Sequence, residues 1–275
     1  MSDIEQKVNE LQETLLHTME HLNNLVYDNK QNNISLFARR LVKKFSMENG
    51  IFRKGNVLFY LPNYPRDHIQ TSIVDCNSFY EQDVLEQVDK YLSDDSVIVD
   101  AGANIGSREL YWLTEKKVAY IYAFEVLPEC YEILKKNIEI NKLSYYATVY
   151  NSALYSKECE GKIVKYSTLE TNDNVFAEIT EDEMQEHRGN TVSLINLDSF
   201  DLDKVDLICV DEKQNEIAVL KGAQNTIERF SPLLLISIKK EGEVELFSYL
   251  DTIGYEERKN VGNCKYLCSR KDLDN

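Results

Sequence analysis

The chain reads Val97-Ile-Val-Asp-Ala-Gly-Ala-Asn-Ile-Gly106 where its regular alternation of strands and helices begins. An uninterrupted apolar run of this kind is typical of a strand buried in a parallel sheet. Asp100 ends the predicted strand, and we expect Gly102 and Gly106 to let the following turn approach a ligand closely. Their spacing matches neither the G-x-G-x-x-G dinucleotide fingerprint nor a phosphate-binding loop, so the turn does not favour a pyrophosphate ligand.

Strands and helices alternate along the chain after this turn. The apolar patterns predict helices at 107–114 and 128–141, and strands at 118–124, 147–150, 162–166, 192–197, 207–210 and 233–238. This order predicts an α/β fold, a Rossmann-like, doubly wound, mostly parallel sheet with helices on both faces, whose ligands bind beyond the carboxyl ends of the strands. Residues 255–267 are expected to close the sheet as a final hairpin.

We divide the chain into three segments. Residues 1–48 predict an N-terminal helical hairpin, because apolar residues from 4 to 25 recur at alternating steps of four and three, the seam of a coiled coil. Self-association through residues 4–26 and packing of this helix on its own domain both fit the pattern. Residues 49–92 predict a short strand pair and a lead-in helix, and residues 93–275 predict the Rossmann-like domain.

Composition limits the partners of the protein. The net charge is −16 and no basic run exceeds a lysine pair, which disfavours general nucleic-acid binding. No apolar stretch is long enough for membrane insertion, and the acidic N-terminus is unlike a signal peptide. Six dispersed cysteines predict reduced thiols and a cytoplasmic location, with no metal site. The acidic stretch 170–186 predicts a solvated loop or lid.

Two acidic residues are expected to meet at one edge of the sheet. Asp100 ends its strand, and Glu125 ends the next one in Tyr122-Ala-Phe-Glu125. A carboxylate at a strand end suits a ligand ammonium group, because it would repel an anion. Glu125 can accept both hydroxyls of a ribose, as the corresponding acid does in dinucleotide folds. S-adenosylmethionine joins an amino-acid group to a nucleoside, so we predict that it is the ligand.

A series of short motifs follows in order from about residue 70 to residue 255. Its members are Phe79-Tyr-Glu81, 99–106, Ala123-Phe-Glu125 with Pro128, Asn137-Ile138 with Asn141, Asn151-Ser-Ala-Leu154, Leu197-Asp-Ser-Phe200, Val205-Asp-Leu-Ile208, Asp211 and Val219-Leu-Lys-Gly-Ala223. The series resembles the FkbM-type methyltransferases, a branch of the class I S-adenosylmethionine-dependent family. The resemblance implies the class I methyltransferase fold, S-adenosylmethionine as methyl donor, and O-methylation of a sugar or another small hydroxyl-bearing molecule.

The resemblance also implies roles for individual residues. The methionine end of the donor would contact Asp100, Gly102, Asn104 and Gly106, the ribose Glu125, and the adenine the turn formed by Asn151, Ser152 and Ala153. The family usually reads Lys-Ile-Asp-Val-Glu-Gly-x-Glu where this chain reads Cys209-Val-Asp-Glu-Lys-Gln-Asn-Glu216. Lys213 and Gln214 therefore replace a glutamate and a glycine, and Ser237 stands where the family usually has an acid.

Asp211 is the predicted catalytic residue, as the base or as the group that orients the acceptor. A purely structural carboxylate is the alternative, and His68 and His187 are weaker candidates for the base. We predict an O-methyltransferase acting on a small hydroxylated acceptor, most often a sugar or glycan precursor. The alternative is a catalytically altered domain that works as a binding or scaffold module, which the changes at 211–216 favour. The glycine spacing disfavours an NAD-dependent oxidoreductase.

Overall fold

The structure, a computed structural model, describes residues 32–166, 177–180, 191–212, 215–238, 242–271 and 273, with Leu16 alone before them. The first predicted helix, apart from Leu16, and most of the acidic stretch 170–186 lie outside these residues. His187, Lys213 and Gln214 lie outside them as well. The helical hairpin, its self-association and the segment boundaries therefore stay predictions.

A seven-stranded sheet forms the centre of the molecule. In chain order its strands are β3 (Val97–Ala101), β4 (Tyr120–Phe124), β5 (Ala147–Tyr150), β10 (Leu207–Val210), β11 (Leu233–Ser237), β12 (Glu257–Gly262) and β13 (Lys265–Ser269). Their order in space is β12-β13-β11-β10-β3-β4-β5, and β13 alone runs in the direction opposite to the other six strands. This confirms the predicted Rossmann-like, mostly parallel sheet. The strand order reverses between β3 and β10, where doubly wound sheets bind ligands.

Helices cover both faces of this sheet. They are α4 (Ser107–Tyr111), which continues as a π-helical turn through Lys116, α5 (Pro128–Ile140), α6 (Glu216–Lys221), α7 (Gln224–Phe230) and α8 (Glu243–Thr252). Successive strand side chains point to opposite faces, so Ile98 belongs to one hydrophobic core and Val99 to the other. Pro128 opens α5 as expected, because a proline at the first helical position loses no hydrogen bond.

Two of the predicted strands lie in a different sheet. The strands β6 (Ala153–Leu154), β7 (Cys159–Tyr166), β8 (Ala177–Thr180) and β9 (Thr191–Ile195) form a four-stranded sheet in the order β6-β9-β7-β8. The strands expected at 162–166 and 192–197 therefore do not extend the central sheet. Strands and helices do not alternate here, because a single 3₁₀ turn, Leu197–Ser199, lies between β9 and β10 in place of a helix. Periodicity identifies a strand but not the sheet to which it belongs.

The segment before β3 packs against the central domain. It contains α1 (Asn32–Ser46), the hairpin of β1 (Ile51–Lys54) and β2 (Val57–Tyr60), α2 (His68–Cys76) and α3 (Gln82–Val88). Sequence periodicity missed α2, whose first turn is capped by Asp67 accepting from the Gln70 backbone N–H at 2.7 Å. Arg40 of α1 pairs with Asp75 at 2.7 Å. In the described part of the chain, no helix has the length and apolar character needed to cross a bilayer.

Candidate active site

A cavity of about 360 Å³ opens at the carboxyl edge of the central sheet. It lies where the strand order reverses, and its walls come from the segments that follow β3, β4, β10 and β11, with the start of β13. Lys265 begins β13 at this edge because antiparallel pairing places it opposite Ser237 at the end of β11. The cavity has the position and size of a small-molecule site in a doubly wound fold.

The turn after β3 contributes backbone to the cavity wall. Gly102 and Asn104 both line it with positive φ angles of 88° and 52°. The sequence predicts only that the glycines of this turn let it approach a ligand. They also allow close packing inside the protein, because a Cβ on Gly102 would lie 2.8 Å from the Asp211 carbonyl oxygen. Likewise a Cβ on Gly106 would lie 2.6 Å from the Leu134 side chain, and Gly106 is not part of the cavity wall. The glycines are required by close packing within the protein.

Glu125 projects into the cavity from the end of β4. Its two carboxylate oxygens accept the backbone N–H groups of Asn104 at 2.8 Å and Leu127 at 2.7 Å. Burial raises the pKa of Glu125 to about 7, although these two hydrogen bonds favour the ionised form. A carboxylate oxygen has two lone pairs, so each oxygen keeps one for a ligand hydroxyl. The predicted neighbours Glu125 and Asn104 are thus brought together at the cavity.

Asp100 occupies a different position from the one its strand end suggested. It is fully buried and does not line the cavity, because Arg108 from the first turn of α4 lies against it, with Nε 3.0 Å from the carboxylate. Arg108 also donates to the Gly102 carbonyl at 2.7 Å. Glu109 lies beside Asp100, and burial together with this neighbour raises the pKa of Glu109 well above its usual value. Asp100 therefore supports the wall of the cavity through Arg108.

Asp211 follows β10 and faces two cations. Its carboxylate lies 3.2 Å from Arg108 and 3.1 Å from Lys265, and Lys265 also lies 3.2 Å from Glu81 and donates to the Ser237 hydroxyl. Burial alone would raise the pKa of Asp211, but Lys265 and Arg108 outweigh it and hold the pKa well below its usual range. A carboxylate held so firmly in its ionised form is a weak proton acceptor.

The turn predicted to contact adenine lies outside the cavity wall. Asn151 donates its side-chain amide to the backbone carbonyls of Glu125 at 2.9 Å and Val126 at 3.2 Å. Ser152 is buried, and Ala153 begins β6 of the second sheet. Asn151 thus fixes the backbone around Glu125, and none of these three residues lines the cavity.

Several cavity residues escaped the sequence analysis. Glu212 is buried on the wall beside Asp211, and Lys265 and Arg108 form the ion pairs described above. Tyr80 belongs to the quoted motif Phe79-Tyr-Glu81, but the motif alone did not place it at the site. The acid next to Asp211 was visible in the sequence as a second carboxylate after a strand. Lys265 gave no such signal, because the antiparallel pairing of β13 is a tertiary property.

His68, the candidate base that the structure describes besides Asp211, lies away from this cavity. His68 begins α2 and packs edge-on against the Tyr80 ring, with ring centroids 6.1 Å apart. It does not line the cavity. Cys268 is buried, whereas Cys264 is exposed and lies at the cavity rim.

The sheet order, with one antiparallel strand next to the edge and a cavity at its reversal point, defines a class I methyltransferase fold. A family model described as "Methyltransferase FkbM domain" matches residues 100–258, more than half of the chain. The chain therefore belongs to the FkbM family of S-adenosylmethionine-dependent methyltransferases, which confirms the resemblance seen in its motifs.

Two curated relatives are fungal methyltransferases. The chain is 28% identical over 147 residues to Methyltransferase 1 of Beauveria bassiana (strain ARSEF 2860), covering 47% of this chain and 59% of that protein. It is 28% identical over 153 residues to Methyltransferase sdnD of Sordaria araneosa, covering 46% and 59%. The match thus spans about three fifths of the length of each relative.

Solved structures with a similar arrangement include another member of the family. Methyltransferase FkbM from Methylobacillus flagellatus KT matches with a TM-score of 0.48 and 17% identity over 64% of this chain and 44% of that chain. M. jannaschii TYW2 in complex with AdoMet matches with a TM-score of 0.40 and 16% identity over 79% and 82%.

The cavity fits the charge of the family's methyl donor. Among the described residues, five acids line it against the two basic residues Arg108 and Lys265; the acids are Glu81, Glu125, Asp211, Glu212 and Glu216. An excess of carboxylates favours a cationic ligand. S-adenosylmethionine carries a sulfonium and an ammonium group against one carboxylate, so its net charge complements the wall.

Proposed function

We propose that the protein transfers a methyl group from S-adenosylmethionine to a hydroxyl of a small molecule, with sugars and glycan precursors as the preferred acceptor class. One observation supports the donor most directly. Glu125 is held by two backbone N–H groups at the cavity wall, with a lone pair left on each oxygen, beside the turn that contains Gly102 and Asn104. This is the arrangement that binds the two hydroxyls of a ribose.

The residues of the cavity divide between donor and acceptor. Glu125 accepts the ribose hydroxyls, and the backbone of Gly102 and Asn104 contacts the methionine end. Arg108 and Asp100 hold this turn in place from behind. When bound, S-adenosylmethionine supplies a methyl group on a positively charged sulfur. The protein then has to hold the acceptor oxygen in line with that group, which accounts for much of the rate of such a transfer.

The polar wall beyond Asp211 suits a hydroxylated acceptor. Ser237, Lys265, Asp211 and Tyr80 all line this part of the cavity and supply both donors and acceptors of hydrogen bonds. Sugars present closely spaced hydroxyls that match such a wall. Because Asp211 is a weak proton acceptor, we assign it the orienting role that the sequence left open, together with anchoring Lys265.

Calorimetric titration with S-adenosylmethionine tests the donor site. We expect micromolar-scale binding by the wild type. Replacement of Glu125 by Ala removes the ribose contact, and hydrogen bonds to a charged group contribute about 1.5–3 kcal/mol, so affinity should fall about 10- to 150-fold. Glu129→Ala, an exposed glutamate in the first turn of α5, is the matched control and should bind like the wild type. Equal binding by Glu125→Ala and the wild type would contradict the proposed site.

Methyl transfer to a panel of hydroxylated compounds, nucleotide sugars included, tests the acceptor class. Turnover with a sugar supports the proposal as stated. Turnover confined to acceptors without a sugar would contradict the proposed acceptor class and leave the proposed donor standing. Donor binding without turnover by any acceptor would instead favour the binding or scaffold module.

We also propose that the protein is cytoplasmic. All six cysteines are free thiols in the structure, and two of them, Cys209 and Cys268, are fully buried in the core around the central sheet. Reducing compartments keep such thiols intact. Fractionation of cells that express the protein tests this location.

A further inference from the structure

Among the described residues of the cavity wall, Glu212 is the one buried carboxylate whose role the donor and acceptor contacts leave unassigned. Its side chain is 5% exposed, it lines the cavity directly after Asp211, and its Oε1 has no hydrogen-bond partner among the described residues. Its neighbours differ in this respect. Asp211 pairs with Arg108 and Lys265, and Glu125 accepts two backbone N–H groups.

The surroundings of Glu212 oppose its negative charge. Burial raises the pKa of Glu212 well above its usual value, and the nearby acids Glu125, Asp211, Asp100 and Glu216 raise it further. Among the described residues, the two cations on the cavity wall are Arg108 and Lys265, and they are already paired with Asp100, Asp211 and Glu81. Without a ligand, burial and the absence of a paired cation among the described residues therefore favour the protonated form of Glu212, because an isolated charge in such a site is costly.

A cationic ligand reverses this balance. A positive charge placed in the same cavity stabilises the ionised form of a neighbouring carboxylate. The cavity already has an excess of acids among its described residues, and Glu212, unlike Asp211, is held in its ionised form by no cation among them. Binding of a cationic donor and ionisation of Glu212 are thus coupled events.

We propose, on the basis of the function proposed above, that Glu212 releases its proton when S-adenosylmethionine binds and then accepts the proton of the acceptor hydroxyl during methyl transfer. The acceptor oxygen forms a bond to the methyl carbon, and the carbon–sulfur bond breaks with its electron pair going to sulfur. The hydroxyl proton passes to the Glu212 carboxylate, directly or through one water. Glu212 loses its negative charge in the same step in which sulfur loses its positive charge, so no unbalanced charge stays in the cavity.

Proton release on binding tests this proposal without turnover. Titrations at pH 7 in buffers of different ionisation enthalpy give the number of protons released with S-adenosylmethionine and with S-adenosylhomocysteine. Both ligands carry the ribose, so any proton from Glu125 is common to both. The wild type should release more protons with the cationic ligand, by up to one proton per chain. Glu212→Gln should abolish this difference, while Glu245→Gln, an exposed glutamate on α8, should keep it.

Turnover gives the second measurement. Glu212→Gln should lower kcat about 10²- to 10⁴-fold, the usual range for a lost general base, and should also weaken donor binding, because a glutamine cannot ionise when the cationic donor binds. Glu212→Asp, which keeps the carboxylate, should recover part of the activity. If Glu212→Gln retains either the proton difference or wild-type turnover, the inference is wrong. If the wild type binds no donor at all, the proposed function itself is wrong, and the two failures are thereby distinguished.

Discussion

Gly102 is the residue at which the fold and the site constrain each other most tightly. Its φ of 88° is strained for any residue with a Cβ, and that atom would lie 2.8 Å from the Asp211 carbonyl oxygen. The two loops that form the cavity floor would have to move apart. We expect Gly102→Ala to lower the free energy of unfolding by about 2–4 kcal/mol and to weaken donor binding, measured by urea denaturation and calorimetry.

Gly55 offers a matched control for this substitution. It also has a positive φ, 58°, but a Cβ there would meet no atom within 4 Å. Gly55→Ala should therefore lower the free energy of unfolding only by the cost of the left-handed conformation, about 1 kcal/mol, and should leave donor binding unchanged. Equal losses of stability in the two variants would show that the close approach of residue 102 to the Asp211 carbonyl oxygen adds nothing to the effect of the substitution.

Among the larger elements, helix α5 connects the β1–β2 hairpin to the central domain. The side chain of Asn141 accepts the Leu58 backbone N–H at 2.9 Å and donates to the Leu58 carbonyl at 2.7 Å, so it pairs with β2 as another strand would. Asn137, one turn earlier, accepts from Tyr60 at 2.6 Å and donates to the Ile105 carbonyl at 2.8 Å. The asparagines of the family motif are thus structural links between β2, α5 and the turn after β3.

Asn141→Ala should remove this link to the hairpin. Two hydrogen bonds of about 1 kcal/mol each are lost and the edge of β2 is left unpaired, so the free energy of unfolding should fall by about 2–3 kcal/mol. Chemical denaturation of the variant measures the loss. Asn225→Ala is the control, because Asn225 is exposed, its backbone N–H donates to Asp198, and its side chain has no hydrogen bond to the described residues. A loss no larger than that of the control would contradict the proposed link.

The sequence predicts elements well where local pattern determines them. The apolar run ending at Asp100 and the proline at Pro128 correctly identify β3 and the start of α5. Strand ends at Asp100, Glu125 and Asp211 converge on one edge because parallel strands share a direction, which is a general rule. Local pattern cannot reveal that Arg108 separates Asp100 from the cavity, since the two side chains meet only after folding.

At the scale of the whole molecule, the buried acids of the site make stability depend on pH. The pKa of Glu125 rises from its ordinary 4.5 to about 7 on folding, and the pKa values of Glu109 and Glu212 rise as well. The folded chain then binds more protons than the unfolded chain above pH 4.5, so stability falls as pH rises. The opposite effect of Asp211, whose pKa is lowered, is confined to pH values below about 4.

We therefore expect the ligand-free protein to be more stable at pH 5 than at pH 8. Glu125 alone accounts for about 3 kcal/mol of this change, because one pKa unit corresponds to about 1.4 kcal/mol. Urea denaturation at several pH values measures the profile. Glu125→Gln should flatten it, and Glu129→Gln, an exposed neighbour, should leave it unchanged. Stability that increases steadily from pH 5 to pH 8 would contradict the assignment of protonated acids to the cavity.

The ion pairs of Lys265 determine when, during synthesis of the chain, the candidate site can be completed. During synthesis Glu81 leaves the ribosome early, Asp211 follows much later, and Lys265 emerges only after the whole parallel part of the sheet has been made. A nascent chain can assemble β3, β4 and β10 before then, but the acidic cavity still lacks Lys265, one of the two cations among its described residues. Insertion of β13 between β11 and β12 thus makes completion of the candidate site depend on the strand of the central sheet that is synthesised last.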